Sequence, residues 1–112
     1  MPSFMLTTNV AVADSAKFNA KASKLMAQIT GKPEKFVCVS VRADTPMSFG
    51  GSADPCGYVV LVNLGGFKDN KAICGHVFTL LERELGLAKD RVYVEINAPN
   101  GADYGWNGST FA

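Results

Sequence analysis

No stretch of this 112-residue chain is long and apolar enough to cross a bilayer as a helix. Its longest uncharged apolar run, from Gly57 to Phe67, falls well short of the roughly 20 residues that a spanning helix needs. The first residues also lack the basic head and apolar core of a secretory signal. The expectation is a soluble, leaderless protein in the cytoplasm, with no membrane insertion. An excess of one charge is missing too. Eleven Lys plus Arg stand against ten Asp plus Glu, a net charge of +1. Nucleic acid and anionic membranes, whose binding rests on clustered basic residues, are therefore not expected as main partners.

Cysteine and histidine are equally sparse. Cys38, Cys56 and Cys74 are odd in number and widely spaced, which fits neither a disulfide framework nor the paired short spacings of a zinc site. No metal is expected, and the thiols read as mostly buried residues of a reducing compartment. His76 is the only histidine and falls in a helical pattern, so no Ser-His-Asp or Cys-His arrangement is supported. The glycine-rich segments Phe49-Gly50-Gly51-Ser52 and Tyr104-Gly105-Trp106-Asn107-Gly108 do not lead from a strand into a helix as nucleotide-binding loops do. They read as tight loops with aromatic walls, and Trp106 and Phe111 could line an apolar ligand pocket.

What is present is apolar content and repetition. With 47% hydrophobic and 19% charged residues, the chain reads as one domain over residues 1–112. Shifted by 55, it aligns with itself: Ser3-Phe4-Met5-Leu6-Thr7 lies on Tyr58-Val59-Val60-Leu61-Val62, Leu25-Met26 on Leu80-Leu81, Gly31 on Gly86, Val39 on Val94 and Gly50 on Gly105. Internal duplication, with repeats at about 2–55 and 57–110, is the simplest explanation.

Each unit reads strand, helix, strand. The first helix starts at Asp14 or Ser15, carries Phe18, Ala22, Leu25, Met26 and Ile29 as one apolar stripe, and closes at Gly31 before Pro33. The second runs from about Asp69 through Ile73, Val77, Leu80 and Leu81 to Gly86. Strands are predicted at Phe36 to Val41 and Arg91 to Ile96, each paired in parallel with the first strand of its unit. The fold class is α/β, a four-stranded sheet with two helices on one face. The strand from Tyr58 to Leu64 is apolar on both parities, so the second face needs a cover, and a homo-oligomer that stacks sheet on sheet supplies it.

Two groups stand out for chemistry. Met1 precedes Pro2, and initiator methionine is generally removed before a residue as small as proline. That would leave a secondary amine at the start of a buried strand, and burial or a nearby cation would favour its neutral, basic form. Lys32, just past the first helix, reads either as a cation answering the helix dipole or as an anchor for an anionic substrate.

Met1-Pro2-Ser3-Phe4, Thr30-Gly31-Lys32-Pro33, Met47 to Ser52, Asp54-Pro55-Cys56, Asp90-Arg91-Val92-Tyr93 and Gly105 to Phe111 together resemble the macrophage migration inhibitory factor family along the whole chain. The resemblance implies the tautomerase fold, a homotrimer with sheets facing inward, and cofactor-free tautomerisation of phenylpyruvate-type keto acids or dopachrome. It implies Pro2 as general base, Lys32 on the substrate carboxylate or carbonyl, and Leu64 as a backbone and apolar contact. It further implies that Tyr93 comes from a neighbouring subunit and that Phe36, Trp106 and Phe111 form aromatic walls.

Two departures qualify this. Glu95 stands where the vertebrate proteins commonly have asparagine, on the same strand face as Tyr93, and a carboxylate there would repel an anionic substrate. The Cys-x-x-Cys motif is broken in Cys56-Gly57-Tyr58-Val59, so no redox activity carries over. The resemblance leaves a second function open: a cytokine-like protein, secreted without a leader, with a vestigial pocket and a cell-surface receptor. A third, an oligomeric domain binding an aromatic ligand, would be supported by a retained Met1.

Overall fold

The computed structural model describes residues 1–112, and its elements follow from the sequence pattern with two shifts at strand starts. Strand β1 (Ser3–Thr8) leads to helix α1 (Ser15–Thr30) and strand β2 (Cys38–Arg42); β3 (Gly57–Val62) leads to α2 (Asn70–Leu85) and β4 (Val92–Asn97). A small hairpin, β5 (Gly105–Trp106) and β6 (Ser109–Thr110), closes the chain. Both helices are capped as their sequences require. Asp14 and Asp69 accept hydrogen bonds from the backbone N–H groups of Lys17 and Ala72, each at 3.0 Å. Gly31 and Gly86 take the left-handed conformation, at φ 68° and 67°, and donate back to Ala27 and Glu82.

The expected strand starts at Phe36 and Arg91 are each corrected by one short 3-10 turn, Glu34–Phe36 and Lys89–Arg91. Pro33 sets up the first of these, and the N–H of Val37 is taken by the Glu34 carbonyl, so the ladder begins only at Cys38. The hairpin β5–β6, read from the sequence only as an aromatic-walled loop, turns on Asn107 and Gly108, both at positive φ.

The four main strands form one mixed sheet in the order β2-β1-β3-β4. Pairing within each β-α-β unit is parallel, and the units meet through the antiparallel pair β1–β3. Phe4 faces Val39 in the first unit and Val59 faces Val94 in the second. Phe4, Leu6, Val59, Leu61 and Val92 point to one side of the sheet and bury against Phe18, Ala22 and Met26 of α1 and Ile73, Val77, Leu80 and Leu81 of α2. Leu25 and Ile29, expected on the same stripe, are only partly buried.

The other face has no helix. Met5, Tyr58 and Tyr93 are 40%, 39% and 62% exposed there. Its apolar character is greatest at the centre, with Met5, Val60 and Val62 on β1 and β3, and Tyr93 extends it onto the β4 edge. The edge strands place Cys38, Ser40, Arg42, Glu95 and Asn97 on it by the same alternation. The thiols also depart from expectation: Cys56 is buried, but Cys38 is exposed on this open face and Cys74 is half-buried in α2.

Candidate active site

The beginning of β1 lies at one end of the sheet, beside the start of β2 and the ends of β3 and β4. Pro2 is fully buried, and its carbonyl accepts the N–H of Cys38 at 3.0 Å, which fixes the strand end against β2. The Met1 nitrogen lies 3.4 Å from Oδ1 of Asn63, and the Met1 carbonyl accepts from the Tyr104 hydroxyl at 3.2 Å. Burial first, and then the positive charge of Lys32, hold the chain-end amine below its ordinary pKa. An amine in these surroundings is biased towards the neutral form that accepts a proton.

Two hollows flank this end. One, of about 250 Å³, is lined by Met1, Phe36, Cys38, Tyr104 and Trp106 among others. Phe36 and Trp106 meet edge to face at 5.8 Å and form its aromatic wall. The other, of about 370 Å³, is lined by Ile29, Lys32, Asn63, Leu64 and Phe67 among others. Lys32 stands just beyond the αL glycine of α1, near the helix C-terminus and close enough to the chain-end amine for its charge to lower that amine's pKa.

Phe111 stands one ring behind the first hollow. It packs on Tyr104 at 6.1 Å, and its N–H bonds to the carbonyls of Gly101 and Tyr104 at 2.9 and 3.1 Å. Two further residues belong to the site. Tyr104 appeared in the sequence only as a loop aromatic, yet its hydroxyl reaches Met1 and lies 3.5 Å from Ser3 Oγ. Asn63 interrupts the apolar run after Tyr58 and is almost fully buried, with its Nδ2 donating to the Gly66 carbonyl at 2.7 Å. A buried amide inside an apolar run was the available signal.

Tyr93 and Glu95 are not brought to this pocket within one protomer. Tyr93 pairs with Tyr58, which pairs with Thr7, two strands over and five residues along from Pro2. Strand geometry puts it about 19 Å away. Its ring lies 4.9 Å from Phe49, which in turn lies under the Arg91 guanidinium at 5.2 Å. Glu95 accepts from the Tyr58 hydroxyl at 2.6 Å and from Asn97 Nδ2 at 2.8 Å. These two bonds, Tyr58 first, lower its pKa, and the same Glu95 bond raises that of Tyr58. Glu95 is thus held as a carboxylate on the open face. No cluster of His, Cys, Asp and Glu suited to a metal is present.

Paired β-α-β units whose first strand begins beside a walled, amine-bearing pocket define a protein of the tautomerase fold. The comparisons narrow this. The family model for macrophage migration inhibitory factor (MIF) matches residues 1–112, and the chain belongs to that family. A macrophage migration inhibitory factor homolog from Trichinella spiralis is 37% identical, over 99% of this chain and all of the relative, and the protein from Rattus norvegicus is 40% identical over the full length of both. Among solved structures, the Trichinella spiralis factor superposes with a TM-score of 0.91 at 36% identity, covering 97% of this chain and 99% of that one. A homologue from Prochlorococcus marinus superposes at 0.92 with 32% identity, covering 98% and 99%.

Proposed function

We propose that this protein is a cofactor-independent keto–enol tautomerase of phenylpyruvate- or dopachrome-type substrates, working as a homotrimer. Its base is the Pro2 nitrogen, freed by removal of Met1. While Met1 is attached, that nitrogen is an amide without basicity. Removal converts it to a secondary amine at the mouth of the aromatic hollow. The observation that carries the reading is the place of the chain end: burial and Lys32 lower the pKa of the Met1 amine there, the Phe36 and Trp106 wall stands beside it, and the Pro2 amine left by processing begins one residue further into the same surroundings.

The chemistry then needs little else. Pro2 takes the proton from the carbon next to the substrate carbonyl, the C–H electron pair becomes a carbon–carbon double bond, and the carbonyl oxygen gains the negative charge and then a proton. Lys32 steadies that oxyanion or holds the substrate carboxylate. Leu64 and the aromatic walls exclude water. The open sheet face supports assembly, and Tyr93, too far from its own Pro2, is suited to orient substrate in a neighbour's pocket.

The test is ketonisation of enol-phenylpyruvate, followed by its ultraviolet absorbance after intact mass has established loss of Met1. Pro2→Gly is expected to lose about 10²-fold or more in kcat, the usual contribution of a general base. An unchanged rate sinks the mechanism. One observation favours a second reading. The Glu95 carboxylate on the face of Tyr93 opposes an anionic substrate, as it would in a secreted cytokine-like protein that keeps only a weak site. Receptor binding with no Pro2-dependent tautomerase rate would favour that reading.

A further inference from the structure

We propose that the groove between α1 and α2, on the side of the protein away from the open sheet face, binds a small ligand carrying linked phosphate groups. The groove has a volume of about 380 Å³ and is lined by Lys21, Lys24 and Gln28 from one helix and His76, Thr79 and Arg83 from the other, over a floor of Leu25 and Leu80. Each wall repeats at i, i+3 and i+7, so each is one continuous helix face. α1 carries Lys17, Lys21 and Lys24 and no acidic residue along its 16 positions. A chain of net charge +1 therefore concentrates cations on one surface.

That concentration has a structural cost, since like charges three or four apart on a helix repel each other. Glu84 offsets part of it by pairing with Lys21 and with Arg83 Nε at one end of the groove. Lys24 has no such partner and is exposed, as are His76, Thr79 and Arg83. Three permanent cations against one carboxylate leave the groove positive whether or not His76 is protonated. The side-chain types match phosphate. The Arg83 fork can grip two oxygens, Lys24 and Lys21 act as point charges, and Gln28 and Thr79 add neutral hydrogen bonds. The cations come from two walls, so a ligand that answers both carries more than one phosphate. The glycine-rich loops, which hold phosphate in many proteins through backbone N–H groups, take no part.

The groove also opens opposite the face expected to pair in an assembly. Occupancy there does not compete with sheet-on-sheet contacts or with the pocket at Pro2, and the proposal stands or falls independently of the tautomerase reading.

The test is calorimetric titration with inorganic tripolyphosphate at low ionic strength. Saturable binding of one ligand per chain is expected, tighter than orthophosphate at equal ionic strength. Lys24→Glu and Arg83→Gln should each weaken it by about tenfold or more, with circular dichroism and any tautomerase rate unchanged. Lys32→Ala, which alters the cation at the other site, should bind tripolyphosphate as the parent does. Adenosine triphosphate in a parallel titration separates sources: tighter binding means that the base uses the Leu25 and Leu80 floor, equal binding that the phosphates alone are read, and both uphold the site. Absence of saturable binding overturns the proposal. So does binding that survives Lys24→Glu and Arg83→Gln, or that is lost in Lys32→Ala.

Discussion

Arg91 ties together two sequence segments that looked unrelated, and replacing it tests how the protein places Tyr93. Its guanidinium donates to the carbonyls of Phe49 at 2.7 Å, Asp54 at 2.8 Å, Ser52 at 3.2 Å and Pro55 at 3.3 Å, and it lies over the Phe49 ring. The loop from Phe49 to Pro55 has little else to hold it, apart from the Phe49–Ser52 bridge and the bonds from Asn9 to Ala53 and Asp54. Charged hydrogen bonds reach about 1.5–3 kcal/mol each when buried, but these carbonyls are partly wet. About 0.5–1 kcal/mol apiece is a fairer figure, giving about 2–4 kcal/mol for Arg91→Ala. At roughly 4 °C per kcal/mol the melting temperature should fall by about 8–16 °C, measured by calorimetry at one fixed protomer concentration. Arg91→Lys should lose most of the same amount, since an ammonium cannot fork across four acceptors. Phe49 would then lose its backing against Tyr93, so the KM of the proposed reaction should rise more than kcat falls. A melting point within about 2 °C of the parent for both variants would refute the clasp.

Gly101 is a second local requirement: a Cβ there would stand 2.8 Å from the Phe111 carbonyl oxygen, so Gly101→Ala should shift the C-terminal hairpin and cost about 1–3 kcal/mol, read by denaturant unfolding. Tyr58→Phe removes the first of the two bonds that depress Glu95, so its carboxyl resonance should titrate closer to an ordinary glutamate than in the parent. Because the folded pKa of Glu95 lies below its unfolded value, the pair stabilises the protein above that unfolded value and the contribution fades as pH falls through the folded one; Tyr58→Phe should flatten this acid limb. Tyr58 has the opposite sign, since its raised folded pKa contributes stability that is lost as pH climbs through it, which the same variant abolishes at the alkaline end. Glu95→Asn should raise kcat/KM for an anionic keto acid or lower the apparent pKa of the base, and no change in either would mean that Glu95 faces away from the reacting groups.

The helices were legible almost to the residue because their signals are local. An Asp cap, an apolar stripe at spacings of three and four, and a glycine that alone tolerates φ near 68° each act within one turn. Strand starts were less legible because Phe36 and Arg91 are apolar or long residues that suit either a strand or a 3-10 turn. Each turn is closed by local backbone bonds, Val37 N–H to Glu34 and Arg91 N–H to Ala88, and the side chains then find partners far away in sequence: Trp106 against Phe36, and the loop carbonyls around Arg91. Asn63 and Tyr104 escaped for the same reason, since nothing near them in the chain marks the Met1 backbone and nitrogen as their partners. Net charge is limited in another way. It is a sum over the chain, whereas a ligand meets a surface, and helical periodicity decides which charges share one. Lys17, Lys21 and Lys24 add only three to a balanced count, but their spacing of four and three places them on one side of α1, and Lys21 and Lys24 face His76 and Arg83 across a groove. A net charge of only +1 thus argues against binding a long polyanion over the whole surface, and it leaves room for a compact one at a single place.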